Sequence, residues 1–230
     1  MGYSEDELRK LYKNFCCLAA TYWQGAYDLQ PAEKEIFDRE ISVGPVLDAG
    51  CGIGRTFAYL ERRGIDVVGM DAVPEMIARA REQDPLADLV EGELQDVAHY
   101  FSEDYFTSVV CLGNTIGGLF TEDLRKSFVN GVAQVLRPDG RFLIDYAPAD
   151  IELALSFGNE IVIDNSSRGG GYGAIFEEEI GGKKQRCYQY YLSEQEISGL
   201  LAGAGFRFRF VQIPWPEFSR DMTLAVCRLG

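Results

Sequence analysis

Val46-Leu47-Asp48-Ala49-Gly50-Cys51-Gly52-Ile53-Gly54-Arg55-Thr56-Phe57 is the stretch that decides the fold of this chain. An apolar run ends in Asp-Ala, glycines follow at alternate positions, and a helix-like pattern starts near Arg55. Glycine adopts left-handed backbone without steric cost, and it lets the main chain approach a ligand where any Cβ would collide. A second apolar run, Val67-Val68-Gly69-Met70, also ends in an acid, Asp71. Strand, glycine turn, helix, then strand and acid is the pattern of a nucleoside-binding site on a parallel sheet.

Working outward, the alternation continues. Strands are predicted over 45–49, 66–70, 87–91, 106–112 and 140–147, with helices over 55–63, 74–83, 95–101 and 121–136 between them. Gly64 ends the first of these helices and Pro74 opens the second. Such alternation argues for a parallel sheet covered by helices on both faces. Ahead of it, residues 5–40 read as two amphipathic helices, interrupted by the aromatic cluster Tyr22-Trp23-Gln24-Gly25-Ala26-Tyr27-Asp28, with Pro31 opening the second. Residues 148–192 break the rhythm. They read as antiparallel strands over 159–164, 173–180 and 183–192, the last two joined at Gly181-Gly182. In that register Glu179 faces Lys184, Glu177 faces Arg186, Phe176 faces Cys187 and Ile175 faces Tyr188, so opposite charges pair across the strands. Ser193 and Glu196 form a capping box for a further helix, and strands 206–213 and 222–229 close the chain.

Composition limits the partners. The chain has 230 residues and a net charge of −14, from 36 acids against 22 bases. This disfavours a general nucleic-acid binder, whose affinity comes from Lys and Arg on phosphates, and equally an anionic membrane surface. No apolar run reaches the roughly 18 residues of a membrane span. The six cysteines include no C-x-x-C or His/Cys cluster, so no metal site is expected and the thiols read as reduced ones in a cytoplasmic protein. His99 is the sole histidine and has no neighbours that complete a catalytic constellation. Arg168-Gly169-Gly170-Gly171-Tyr172-Gly173 lacks the strand-to-helix setting of a phosphate loop and reads as a lid or plain loop.

Asp48-Ala49-Gly50-Cys51-Gly52-Ile53-Gly54 resembles the E/D-x-G-x-G-x-G signature of class I S-adenosylmethionine-dependent methyltransferases. The dinucleotide fingerprint G-x-G-x-x-G/A would need Gly or Ala where Arg55 stands. Val109-Val110-Cys111-Leu112-Gly113-Asn114-Thr115-Ile116-Gly117-Gly118-Leu119 resembles the V-x-x-x-G-N-S-x-x-H-L stretch of small-molecule methyltransferases, such as glycine/sarcosine N-methyltransferases, and departs from it at Gly118. Leu136-Arg137-Pro138-Asp139-Gly140 resembles the family's L-x-P-G-G turn, and Leu201–Phe206 its L-x-x-A-G-F end. The resemblance implies an α/β, Rossmann-like, doubly wound seven-stranded sheet with the last strand antiparallel. Residues 1–42 would form an N-terminal helical cover, and 43–230 the catalytic domain with a substrate-side antiparallel insertion at 148–192.

It also implies S-adenosylmethionine as cofactor and a small molecule as methyl acceptor, with no nucleic acid or membrane partner and an undetermined oligomeric state. Gly50, Cys51 and Gly52 would touch the cofactor's amino-acid part. Asp48 would brace that loop or bond the cofactor, the former being favoured. Arg55 would pair with the cofactor carboxylate or lie on the surface. Asp71 would accept hydrogen bonds from two ribose hydroxyls, since a carboxylate offers two acceptor oxygens. Ala72 would meet the adenine ring, and Glu93 with the Leu94 backbone its amino group. Leu112 and Gly113 would offer backbone to the cofactor. Asn114 would face the acceptor or bond within the strand-end loop. Asp145 and Tyr146 would orient the acceptor or cap the strand end. Tyr22 or Tyr27 would cover the cofactor, and other aromatics, Tyr12, Tyr172, Tyr188, Tyr190 and Tyr191 among them, would form the substrate chamber or belong to the core. Three rival readings remain open: an RNA or protein methyltransferase, a cofactor-binding protein without turnover, and a nicotinamide dehydrogenase, the last only if the chain binds NAD and not S-adenosylmethionine.

Overall fold

The computed structural model describes residues 3–22, 28–180, 182–214 and 221–230, with the side chains of 15, 18–22 and 180 outside that description. Two helices come first, α1 (Glu5–Tyr22) and α2 (Pro31–Glu40). Pro31 sits in the first turn of α2, where its missing N–H costs nothing. Then β1 (Val46–Ala49), α3 (Phe57–Glu61), β2 (Val67–Asp71), α4 (Pro74–Gln83), β3 (Asp88–Glu91), α5 (Val97–Tyr100), β4 (Phe106–Cys111), α6 (Glu122–Val135) and β5 (Leu136–Tyr146) alternate as the sequence predicts. The tail follows as α7 (Ile151–Ser156), β6 (Glu160–Asp164), β7 (Tyr172–Ile180), β8 (Lys183–Tyr191), α8 (Glu194–Gly203), β9 (Phe206–Ile213) and β10 (Met222–Leu229).

Seven strands form one sheet in the order β3-β2-β1-β4-β5-β10-β9, and β10 runs antiparallel to both its neighbours. The order reverses between β1 and β4, so the crevice beyond their carboxyl ends is where an open α/β sheet binds ligands. Strand alternation divides the core in two. Leu47, Val109, Phe142 and Ile144 pack on one face with Val97, Phe128, Val132 and Leu201 of α5, α6 and α8. Val46, Val67, Val110 and Leu143 pack on the other with Ile36, Phe37, Phe57 and Leu60 of α2 and α3. Fully buried Phe37, Phe128 and Phe142 contribute roughly 1.5–3 kcal/mol each by leaving water. The side-chain carboxylate of Glu40, 5% exposed, ties α2 across the sheet edge to Arg141, Arg209 and Arg228 at 3.6, 3.0 and 3.4 Å.

Three departures have local causes. The Arg137–Gly140 turn lies inside β5 as a bulge: pairing with β4 jumps from Phe106–Leu136 to Ser108–Arg141, and Asp139 takes the left-handed conformation at φ 66°. Helix α7, which the periodicity does not announce, starts where the Asp150 side chain accepts a hydrogen bond from the Leu153 amide at 2.9 Å. The hairpin keeps its predicted register, but its ion pairs run to other partners. Lys184 reaches Glu177 at 3.9 Å, and Arg186 reaches Glu160 on β6 at 2.7 Å. Glu177 is thus reached diagonally from Lys184, and Arg186 reaches past β7 to the next strand but one.

The insertion, β6 to β8, is a separate antiparallel sheet. Ser193 caps α8 as expected, accepting from the Glu196 amide at 3.0 Å. The Glu196 carboxylate does not complete the box. It turns to buried Arg125 at 2.6 Å, to the Gly171 amide at 3.0 Å and to the Tyr190 hydroxyl at 3.2 Å. Arg125 lies 4.1 Å from the Tyr190 ring centre. This network fastens the insertion to α6 and α8.

Candidate functional site

Beyond the carboxyl ends of β1, β2 and β4 lies a cavity of about 770 Å³, within the size range of small-molecule sites, roughly 300–1,000 Å³. Its wall starts at the glycine loop. Gly50 and Gly52 have φ of 81° and 55°, and the Gly50 and Cys51 amides donate to the Met70 carbonyl at 2.7 and 3.0 Å, pinning the loop to β2. Asp71 completes the pin. One carboxylate oxygen accepts from the Gly52 amide and the other from the Val73 amide, both at 2.9 Å. Each oxygen keeps a second acceptor direction, and Asp71 lines the cavity. Burial raises its pKa, which the backbone amides oppose.

Asp48 lies behind the loop, 2% exposed, and accepts a hydrogen bond from the Thr56 hydroxyl. This braces the loop through the following helical turn, not through the loop amides. Burial pushes its pKa up to about 6. Arg55 is not a surface residue. Its guanidinium makes a two-point bridge to Glu33 of α2 at 3.0 and 2.9 Å, and Glu33 is 1% exposed. Against the opposing effect of burial, Glu33 holds the Arg55 charge more firmly than usual. The bridge places a cation on the cavity wall and anchors α2 to the glycine loop.

The opposite wall is α1. Arg9, Tyr12, Lys13 and Cys16 recur at helical spacing and line the cavity. Arg9 and Lys13 hold the Glu93 carboxylate at 3.2 and 3.0 Å, beside Ala72, Val73 and Leu94. Glu93 thus stands on the cavity wall already engaged by two cations of α1. The Tyr12 ring packs over Gly118, where an added Cβ would come within 2.5 Å of it, and burial pushes its phenol pKa far up. Tyr22 ends α1, but its side chain lies outside the described set, and Trp23 and Tyr27 lie outside the described residues.

Leu112, Gly113 and Asn114 form the floor. Gly113 and Asn114 are left-handed, with φ of 76° and 54°. The reason is Asp145: its carboxylate accepts from the Gly113 amide at 2.8 Å and the Asn114 amide at 2.7 Å. Asp145 is 1% exposed, does not line the cavity, and burial pushes its pKa up to about 7. It shapes the loop and does not orient an acceptor. Tyr146 points to the other face of β5, 1% exposed, edge-on to Phe210 at 6.0 Å. It belongs to the core, because successive strand residues face opposite ways. Asn114 reaches the cavity wall, yet both ends of its amide serve backbone. Its oxygen accepts from the Ala147 amide at 3.0 Å and its nitrogen donates to the Tyr190 carbonyl at 3.3 Å. It joins β5, the floor loop and β8.

The remaining wall comes from Phe157 and Asn159, just after α7, and from β7 and β8. Cross-strand register puts Ala174, Phe176 and Glu178 on one face with Cys187, Gln189 and Tyr191, and Phe176, Glu178, Gln189 and Tyr191 line the cavity. Tyr188 and Tyr190 face the core, and Tyr172 stacks on Tyr191 at 5.0 Å. The motif reading missed Glu33, Thr56, the polar stripe of α1 and Gln189. For α1 a signal existed, since Arg9, Tyr12, Lys13 and Cys16 share one helical face. For Gln189 there was none. Among the described residues no group of three metal-ligating side chains occurs, and no helix is long and apolar enough to cross a membrane.

Residues 46–140 match the family model of a methyltransferase domain. A glycine/sarcosine N-methyltransferase of Aphanothece halophytica is 32% identical over 49% of this chain and 43% of its own length. The chain thus spans less than half of that enzyme. An uncharacterized methyltransferase, C70.08c of Schizosaccharomyces pombe, is 30% identical over 84% of this chain and 72% of its own length. Among solved structures, the glycopeptide N-methyltransferase MtfA in complex with S-adenosylmethionine superposes with a TM-score of 0.62, covering 89% of this chain and 96% of MtfA at 20% identity.

Proposed function

Because this chain belongs to the class I S-adenosylmethionine-dependent methyltransferases, we propose that it transfers a methyl group from that cofactor to a nitrogen or oxygen nucleophile of a small molecule. The observation that carries the reading is Asp71. Its carboxylate is fixed by two amides, faces the cavity, and keeps one acceptor direction per oxygen for a pair of ribose hydroxyls.

The residues fit the cofactor. A Cβ on Gly52 would meet nothing nearer than the Met76 sulfur at 3.9 Å, so the loop leaves open space toward the cavity. Val73, Met76 and Leu94 offer an apolar slot for the adenine, and Glu93 an acceptor for its amino group. Gly50, Cys51 and Arg55 border the amino-acid end. When bound, the cofactor supplies a methyl group on a cationic sulfur, which departs as a neutral thioether when the acceptor's lone pair takes the carbon. The protein contributes alignment, and holding two reactants in line removes several kcal/mol of barrier. The floor loop, held in its left-handed turns by Asp145, sets the line of attack. Helix α1 with Tyr12 screens the reacting atoms from water. Of residues 1–42, α1 is the cover, whereas α2 is part of the packed sheet face. Six cysteines without a C-x-x-C spacing favour a reducing compartment such as the cytoplasm.

The test is incubation with methyl-labelled cofactor and a metabolite extract. Label in a small molecule is the expected result. Label in macromolecules alone refutes the small-molecule acceptor, and binding of S-adenosylhomocysteine with no labelled product of any kind refutes turnover.

A further inference from the structure

We infer that Gln189 orients the methyl acceptor, its side-chain carbonyl accepting a hydrogen bond from an N–H on the nucleophilic atom, so that the acceptor is a primary or secondary amine. The inference rests on the methyl-transfer reading and deepens it.

Gln189 is the point where the insertion touches the cofactor floor. It lies on the cavity face of β8, between Cys187 and Tyr191, with small Ala174 opposite it. Its Nε2 donates to the Asn114 main-chain carbonyl at 3.2 Å. That bond settles which way the amide lies, because a carbonyl only accepts, and the reverse orientation would set oxygen against oxygen. The Oε1 is left as an acceptor, and no described residue donates to it. The junction is tight: the Asn114 amide donates to the Tyr190 carbonyl, and a Cβ on Gly117 would come within 2.4 Å of that same carbonyl. The Oε1 is therefore a rigid acceptor beside the loop that floors the methyl-bearing end of the cofactor site.

A rigid amide oxygen selects by chemistry. It rejects nucleophiles that carry no hydrogen, namely tertiary amines, thioethers and carboxylates, by setting lone pair against lone pair. It takes no proton at ordinary pH, so it suits a neutral amine, which attacks without first losing one. As the nitrogen gains positive charge during transfer, its N–H becomes a stronger donor, and the bond to Oε1 tightens in the transition state. The cationic nitrogen of the product then loses one of its own protons to water.

The experiment uses the full chain, 13C-methyl S-adenosylmethionine and a metabolite extract, with the carbon shift of the new methyl read by NMR. An N-methyl signal is expected, and an O-methyl or S-methyl signal overturns the inference while leaving methyl transfer standing. No labelled small molecule at all counts against the activity itself. Gln189→Met and Gln189→Ala are then measured on the same extract. Each is expected to form the N-methyl product about tenfold more slowly, as loss of one hydrogen bond to a charge-gaining group implies. Their affinity for S-adenosylhomocysteine is expected to stay within twofold of the parent, which a merely structural role for Gln189 would not give. Undiminished product formation by either variant overturns the inference, as does a parallel loss of S-adenosylhomocysteine affinity in both.

Discussion

Replacing Asp71 by Asn is expected to weaken binding of S-adenosylhomocysteine by about 3 kcal/mol, or roughly 150-fold. The figure follows from four hydrogen bonds. Two are present in the structure, from the Gly52 and Val73 amides at 2.9 Å each. Two more are assigned to ribose hydroxyls. An asparagine side chain keeps one acceptor oxygen and turns the other into a donor. It must then present N–H to N–H at one amide, so either the glycine loop or the turn before α4 shifts. It also gives up one ribose acceptor, and the bond it retains is no longer charge-assisted. A hydrogen bond to a charged group is worth about 1.5–3 kcal/mol, and the displaced loop adds to the loss. Titration calorimetry of the parent and variant measures the difference, with thermal unfolding of the unliganded proteins as the control. The pH dependence gives a second reading of the same group. Burial raises the Asp71 pKa above its ordinary value, and ribose binding needs the carboxylate. Affinity is therefore fully present above the raised pKa and lost as pH falls through it, and the variant lacks that limb. Binding by the variant within threefold of the parent would falsify the assignment of Asp71 to the ribose.

Two further predictions concern what holds the site in place. Glu33→Ala removes the two-point carboxylate partner of the Arg55 guanidinium, 12% exposed, and breaking a buried pair costs about 3–5 kcal/mol; a shift in urea unfolding worth less than 1 kcal/mol would show that the bridge is dispensable. Asp48 has a folded pKa near 6 against 3.8 unfolded, so the folded protein binds the extra proton in that window. Its contribution to stability is fully present below the unfolded value and is lost as pH rises through the folded one. Asp48→Asn keeps an acceptor for Thr56 and is expected to flatten the fall in stability between those values, and an unchanged slope in unfolding midpoints would remove Asp48 as its source.

Much of the architecture was legible in one dimension because its signals are local. Apolar runs of four to six residues, glycine at left-handed turns and prolines at helix starts depend only on neighbours in the chain. They placed β1 to β5, α2 and α4, and the hairpin register held because a two-residue turn leaves little freedom. Where a local signal had two outlets, the chain did not say which was taken. Glu196 could close a capping box or pair with Arg125, and the buried cation on α6 wins, because an unpaired guanidinium there would cost more than an unfilled cap. Asp145 and Tyr146 end the same strand and looked equivalent. Their fates follow from which face of the sheet each meets.

The sequence by itself determined a class I methyltransferase sheet, a glycine loop after β1 and an acid after β2, since these rest on backbone conformation and on spacing within one βαβ unit. Only the tertiary structure decided what each polar group does with its hydrogen bonds. Arg55 meets Glu33, Glu93 meets Arg9 and Lys13, Asn114 spends its amide on two strands, and Gln189 arrives from the far end of the chain to face the same cavity. Those partners lie tens of residues apart or more. A buried polar group must be satisfied by whatever the fold brings near it, and no local pattern records that choice.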